Sequence, residues 1–435
     1  MKKLVIFTLI AAIVAGTAFA QLADGIVVNG WGRAAFSPLM NLGKEKVDGE
    51  TVDDAEADNF AGAGVTWGGQ QARVDFRVSG GTDYVGFGIG FNAESHEVAT
   101  HDIGAHIWIQ PFGTNIFKMT AGWFIDDTLR GKIGNLDGGF SNFVLGYVPE
   151  EDAIFNRFGS GATNSTNGNN DNNSWMLSSV PIEGLFLGFM VNGALFTGWG
   201  GPGSGTPAGE AYRYMQLGAG YEIADIGHIR AQYIGGWSGT VDPADPDWDK
   251  YWYDAGKQAR IEAAFALTAV QGLLVDLGAK IWLPLEEKDT FKVSNGLDFS
   301  LGVTFGMDAL GIGFRADISG IGAYARHGEG TIGYKDDEST NGALMVFRLV
   351  PTYALDFATL GLDAAFAIGG KSKAVNGDSI DDNWSQFGIG AFLQKGLAGG
   401  QLMAGLSFTL PPSYKDGATG RSVFTIPIIL EYAFF

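Results

Sequence analysis

The feature that most constrains this chain is a period of two. Between Gln71 and Ser79, the residues Ala72, Val74, Phe76 and Val78 share one frame, and Gln71, Arg73, Asp75, Arg77 and Ser79 share the other. After Ser79-Gly80-Gly81-Thr82 the pattern restarts. Val85, Phe87, Ile89, Phe91 and Ala93 then oppose Tyr84, Gly86, Gly88, Gly90, Asn92 and Glu94. Successive side chains of a strand point to opposite faces, so each run is a strand with one apolar and one polar side. The alternation returns at 273–283, 297–305, 312–319 and 424–434.

A soluble sandwich alternates as well, and length separates the two cases. These runs reach ten residues or more. Ordinary strands average about 5–6 residues, whereas a tilted strand needs about 9–11 to cross a bilayer. The connections also alternate. Short turns fall at Ser79–Thr82, Pro111–Thr114, Pro181–Gly184, Ala224–Gly227, Val270–Gly272, Asp308–Gly311, Asp356–Gly361 and Lys395–Gly400. Longer polar stretches fall at 37–60, 95–101, 125–173, 198–211, 239–257, 284–296, 325–342, 369–384 and 410–422. Nine loops and eight turns give eighteen strands, with sixteen as the neighbouring even number. Asn142–Val148 is apolar enough to be a further strand inside a loop. In hydrocarbon every unpaired backbone N–H or C=O costs several kcal/mol, so the sheet must close on itself. The expected fold is all-β: a transmembrane antiparallel up-and-down barrel whose width leaves an aqueous lumen.

The N-terminus gives a route to such a membrane. Met1-Lys2-Lys3 precedes an apolar run from Leu4 to Ala15, then Thr17-Ala18-Phe19-Ala20 before Gln21. A positive start, a short apolar core and a small-x-small site make residues 1–20 a cleaved signal peptide, with 21–435 as one barrel domain. The chain has no Cys, so neither disulfides nor a lipidated cysteine enter the account. Charged residues make up only 17%, below the usual quarter, which suits a surface facing lipid. The formal charge of −20 becomes −22 when Lys2 and Lys3 leave with the signal. That balance argues against nucleic acid as a partner, because phosphates demand basic patches. Trp31, Phe117, Trp123, Tyr221, Trp237 and Tyr432 stand near strand ends, where amphipathic rings form interfacial belts.

The chain ends Ile429-Leu430-Glu431-Tyr432-Ala433-Phe434-Phe435. A terminal Phe closing an alternating strand resembles the C-terminal assembly signal of Gram-negative outer-membrane proteins. The apolar frame here runs through Phe434 rather than Phe435, so the match is partial. In architecture the whole mature chain resembles a Gram-negative or spirochaete-type porin. That resemblance implies an outer-membrane location, outer-membrane lipid and the assembly machinery as partners with Phe435 as the signal, and a homotrimer. It also implies that the loop between the fifth and sixth strands, 125–173, folds into the barrel. That loop carries Asp126, Asp127, Asp137, Glu150, Glu151 and Asp152, with Phe140 and Phe143-Val144-Leu145 able to pack on the wall.

If the polar frame lines the lumen, its charges are countable. Arg73, Arg77, Lys118, Arg230, Arg260, Lys280, Arg315 and Arg348 oppose Asp75, Glu94, Asp102, Glu262, Asp276, Asp298, Asp317 and Asp363. The wall is then near neutral and the negative excess sits in the loops. Acidic mouths concentrate cations over about 8 Å at physiological salt. The constriction is expected to set Glu150, Glu151 and Asp152 against Arg73 and Arg77.

Enzymatic and metal readings are thin. His96, Glu97 and His101 flank one loop, and Asp242–Asp249 is acid-rich but lacks the glycine and distal Glu of a calcium loop. Gly86-x-Gly88-x-Gly90 precedes no helix, so it is not a phosphate loop; alternate glycines relieve crowding in a curved strand. No catalytic set stands out and no cofactor is expected. The leading expectation is a passive channel for small hydrophilic solutes and ions with mild cation preference. A substrate-selective transporter and a surface adhesin or antigen on a barrel scaffold are the alternatives. Replacing Arg73 and Arg77 with glutamine should raise cation preference. The reversal potential across a salt gradient measures it, and an unchanged value removes both residues from the ion path.

Overall fold

The computed structural model describes residues 26–36, 38–42, 46–47, 50–51, 60–63, 72–94, 104–122, 174–191, 211–212, 214–235, 259–287, 291–294, 296–322, 324–327, 338–340, 343–369, 372–373, 379–380, 384–410, 413–414, 422–426 and 428–434. Eighteen strands build the wall. They are β1 (Ile26–Phe36), β2 (Ala72–Gly81), β3 (Val85–Glu94), β4 (Gly104–Ile109), β5 (Lys118–Gly122), β6 (Ser174–Ile182), β7 (Leu185–Val191), β8 (Met215–Ile223) and β9 (Gly227–Ile234). The second half comprises β10 (Arg260–Leu267), β11 (Leu273–Trp282), β12 (Leu297–Met307), β13 (Leu310–Ile321), β14 (Leu344–Ala354), β15 (Thr359–Gly369), β16 (Trp384–Leu397), β17 (Gly400–Thr409) and β18 (Ile428–Phe434).

Each strand pairs antiparallel with its neighbours in sequence, and β18 returns to pair with β1, where Arg33 faces Glu431 and Gly30 faces Phe434. The expected eighteen strands are therefore present and the sheet is closed. Closure removes the open edge that hydrocarbon would not tolerate. One interruption has a covalent cause. Pairing of β14 with β15 stops after Leu349↔Ala364 and resumes at Thr352↔Gly361, and Pro351, which has no N–H, lies in the gap.

The turns fall where the sequence places them. Glu183-Gly184 and Ala398-Gly399 close two of them, and Gly184 (φ +80°) and Gly399 (φ +88°) take the left-handed backbone that glycine adopts without steric cost. At the β2–β3 turn, Thr82 Oγ1 accepts the N–H groups of Tyr84 and Val85 at 3.2 and 3.3 Å.

The apolar frame points out of the barrel. Leu217, Ile229, Leu277, Leu349, Leu362, Ile389 and Leu406 are all exposed large apolar side chains. A soluble protein rarely shows so continuous an apolar surface, whereas a bilayer requires it. Tyr84, Phe112, Tyr221, Tyr353, Phe357 and Tyr432 are exposed at the turn end and supply the aromatic belt there. Trp31 is a correction to the expected belt. Its backbone register partners are Asp75 and Ala433, at the polar frame read from the sequence of β2. Trp123 and Trp237 lie outside the described residues, as do the expected strand at 142–148 and the leader at 1–20. A shallow region of lipid face crosses four strands, where Ala219, Ala231, Ala263 and Ala279 form one register row. Leu217, Tyr233, Ile261 and Ile281 form the row on one side of it.

Leu362 is 49% exposed in the middle of β15. Leu362→Arg should cost about 2–4 kcal/mol, the expense of a cation on the lipid face near the midplane. Urea titration of folding into vesicles measures this, and undiminished stability would mean that the residue meets water.

Candidate functional site: the luminal wall

The luminal frame can be followed from strand to strand by register. One row runs Gln232, Glu262, Lys280 and Asp298 across β9 to β12. Another runs Asp276, Gly302, Arg315 and Arg348 across β11 to β14. Side chains at such positions sit about 4.5–5.5 Å apart at Cβ, close enough for charges to pair.

They do pair. Glu262 is buried and accepts Arg260 Nε at 2.7 Å and Gln232 Nε2 at 2.5 Å. Asp298 accepts Trp282 Nε1 at 2.9 Å and the Gly320 N–H at 2.8 Å, with Lys280 Nζ 3.8 Å away. The cations of Arg260 and Lys280 lie over the Trp282 ring, 5.3 and 4.9 Å from its centroid. Further along the wall, Arg315 holds Asp317 side-on, with Nε at 2.6 Å and Nη2 at 3.1 Å. Arg348 holds Asp363 in the same way, with Nε at 2.8 Å from one oxygen and Nη2 on the other. Arg315 and Arg348 are directly opposed in register, an arrangement that repels unless each cation has its own anion. Asp317 and Asp363 supply those anions. Charges satisfied side by side within the wall present little net field to a passing ion.

A second device shapes the same surface. A Cβ on Gly86 would lie 2.3 Å from Trp108 Cζ2, one on Gly88 would lie 2.4 Å from His106 Cε1, and one on Gly361 would lie 2.1 Å from Phe392 Cζ. Each ring therefore occupies the space over a glycine of the adjacent strand. Lys118 Nζ sits 4.9 Å above the Trp108 ring, so that ring is held between glycine and cation. Of the three glycines read as relief of crowding, Gly86 and Gly88 seat rings, while a Cβ on Gly90 would meet nothing closer than 3.9 Å.

Of the residues singled out from sequence, Arg315 and Arg348 join ion pairs and Lys118 joins the Trp108 stack. Arg77 is half-buried, in register with Asn29 and Gly90. Arg73 is in backbone register with Arg33 and Glu94, and Asp75 with Trp31 and Asn92. Glu150, Glu151, Asp152, Asp102 and Phe435 lie outside the described residues, as do the loops at 96–101 and 242–249. Among the described residues no cluster of metal-ligating side chains occurs. Sequence reasoning missed the roles of Trp282, Trp108 and His106. It also missed that Arg260-x-Glu262 and Arg315-x-Asp317 place opposite charges two residues apart on one face, a spacing visible in the letters.

The pairs make a stability prediction. Asp317→Ala leaves Arg315 buried without its carboxylate and should cost about 3–5 kcal/mol, whereas Arg315→Met with Asp317→Leu should be near neutral. Urea unfolding of both variants in detergent checks this. Equal losses would mean that the pair itself, rather than the stranded charge, carries the energy.

No family model matches the sequence, and no curated protein matches it. Solved structures do match in fold. The outer-membrane channel DcaP of Acinetobacter baumannii has 11% identity and a TM-score of 0.48, over 94% of this chain and 98% of that one. An outer membrane protein of Vibrio cholerae, OmpT with one loop deleted, has 12% identity and a TM-score of 0.44, over 94% of this chain and 100% of that one. An anion-selective porin from Comamonas acidovorans has 12% identity and a TM-score of 0.43 over the same shares. At such identities the likeness is one of barrel architecture. The closed wall, apolar exterior and polar interior are by themselves the architecture of a transmembrane β-barrel.

Proposed function

We propose that this barrel is a channel for passive diffusion of small hydrophilic solutes and ions, with a mild cation preference set by its acidic loops. The observation that carries this is the closed eighteen-strand wall with its polar frame turned inward. That many strands enclose more space than their own side chains can fill. The paired wall supports the second clause. With Arg260, Lys280, Arg315 and Arg348 each beside a carboxylate, the wall leaves the loop charge to set preference. Residues 1–20 are the exported leader in this reading.

We further infer that residues 125–173 narrow the lumen. Met176 and Met190 are 0% exposed, Ile234 1% and Arg260 2%, although all stand in the luminal frame near the loop end of β6 to β10. Side chains lining an empty bore would be wet. The segment that joins β5 to β6 starts and ends beside this dry patch. Acidic residues Glu150, Glu151 and Asp152 would then come near the wall. A homotrimer is the assembly we favour, with the shallow alanine row of β8 to β11 as its flattest lipid-facing surface.

Planar bilayers test the reading. The purified protein should give open steps, little blocked by any one solute, with cation preference that fades as salt rises. Deleting 139–168 should enlarge the steps. It should also make a Met190→Cys variant reactive to a water-soluble maleimide, in a chain with no native Cys to confuse the result. A barrel without steps that binds a ligand through its loops would favour the adhesin reading instead, and steps blocked by one solute would favour the selective transporter.

A further inference from the structure

Two luminal glutamines stand at opposite corners of a register square. On β8, Gln216 and Gly218 share the inner face, since Leu217 between them is exposed on the lipid face. On β9, Ile234 lies opposite Gln216, and Gln232 lies opposite Gly218. Gln216 and Gln232 are therefore diagonal neighbours, about 7–8 Å apart at the backbone and within reach of long side chains. The corner beside them carries no side chain. It is Gly218, and Gly188 of β7 lies next to it in register, so two adjacent strands are bare at that level. The register neighbours of Gln216 itself, Met190 and Ile234, are apolar and buried. They offer its carboxamide nothing to bond.

Both carboxamides are out of water, with Gln216 2% exposed and Gln232 5%. Buried side-chain polar atoms are ordinarily hydrogen-bonded. Three here have no partner: Nε2 and Oε1 of Gln216, and Oε1 of Gln232. Gln232 cannot turn its amide round, because Nε2 donates to Glu262 Oε2 at 2.5 Å and a flip would set its carbonyl against that carboxylate. Its Oε1 is thereby fixed as an acceptor. The set is one donor group and two acceptors beside the bare level at Gly188 and Gly218. An ion suits it poorly. Both carboxamides are neutral, and the neighbouring charges, Glu262 and Arg260, are spent on each other at 2.7 Å. A hydroxyl group both donates and accepts, as this set requires. We propose that Gln216 and Gln232 form a binding site for one hydroxyl group in the inner wall, either that of water or an alcohol group of a polyhydroxy solute. The hydroxyl accepts from Gln216 Nε2 and donates to Gln232 Oε1.

The site makes no demand on transport, so it stands or falls apart from the channel reading. Gln216→Met keeps the length of the side chain and removes both of its polar atoms. With a hydroxyl group seated, urea titration of the variant should give a folding equilibrium about tenfold weaker, the scale of one buried group left without its partner. If the glutamine is only stranded, the variant loses a buried polar burden and comes out as stable as the unmodified protein or more so, which overturns the site. Repeating both titrations in rising erythritol separates the two sources. A difference that widens with erythritol assigns the site to the solute's alcohol, and a constant difference assigns it to water. Should Gln216→Met not assemble, a crystal structure of the unmodified protein decides. Density within hydrogen-bond reach of both carboxamides is the expected result, and its absence overturns the site.

Discussion

In hydrocarbon a backbone amide has no water to turn to, and every other property of this molecule follows from how that is resolved. The chain resolves it by pairing each strand with two neighbours until β18 meets β1. Closure fixes the number of faces at two, one outside and one inside. Alternation then assigns every residue of every strand to one of them. This is why a shift of one residue in register would turn a whole strand's apolar set from one face to the other.

The inner face had to accommodate charges without stranding them. A carboxylate or guanidinium taken from water is costly, and a missing partner leaves that cost standing. The wall answers with local pairs, either two residues apart on one strand, as in Arg315 and Asp317, or between adjacent strands, as in Arg348 and Asp363. Around Trp282 the same logic extends to five strands, because Gln232, Glu262, Arg260, Lys280, Asp298 and Gly320 share donors, acceptors and one ring. Such a wall is rigid for reasons unconnected with a packed core.

Much of this was legible in the letters. The frames of β2, β3, β11, β12 and β13 are those expected, because a period of two leaves little freedom once strand length is set by the bilayer. The turns were legible because Gly and Asp mark them chemically. The ring seats were not, since nothing in Gly86-x-Gly88 says that Trp108 and His106, about twenty residues on, will lie against it. That is a fact of register between β3 and β4. The small sheet of Leu285–Glu287, Phe291–Ser294, Tyr324–His327 and Glu338–Thr340 was hidden for a similar reason: its strands are three or four residues long, under the length at which alternation can be told from chance, and they lie in what reads as loop.

The rings on glycine have a consequence for bore. A tryptophan standing upright from a wall reaches several ångströms toward the axis, while one lying along the wall takes up almost none of the cross-section. By setting Trp108, His106 and Phe392 against glycines, the chain keeps aromatic mass on its inner face in space that any other residue's Cβ would fill. Diameter in this protein is thus governed partly by residues with no side chain, and a single added methyl group at Gly86 or Gly361 would turn a wall panel into an obstacle.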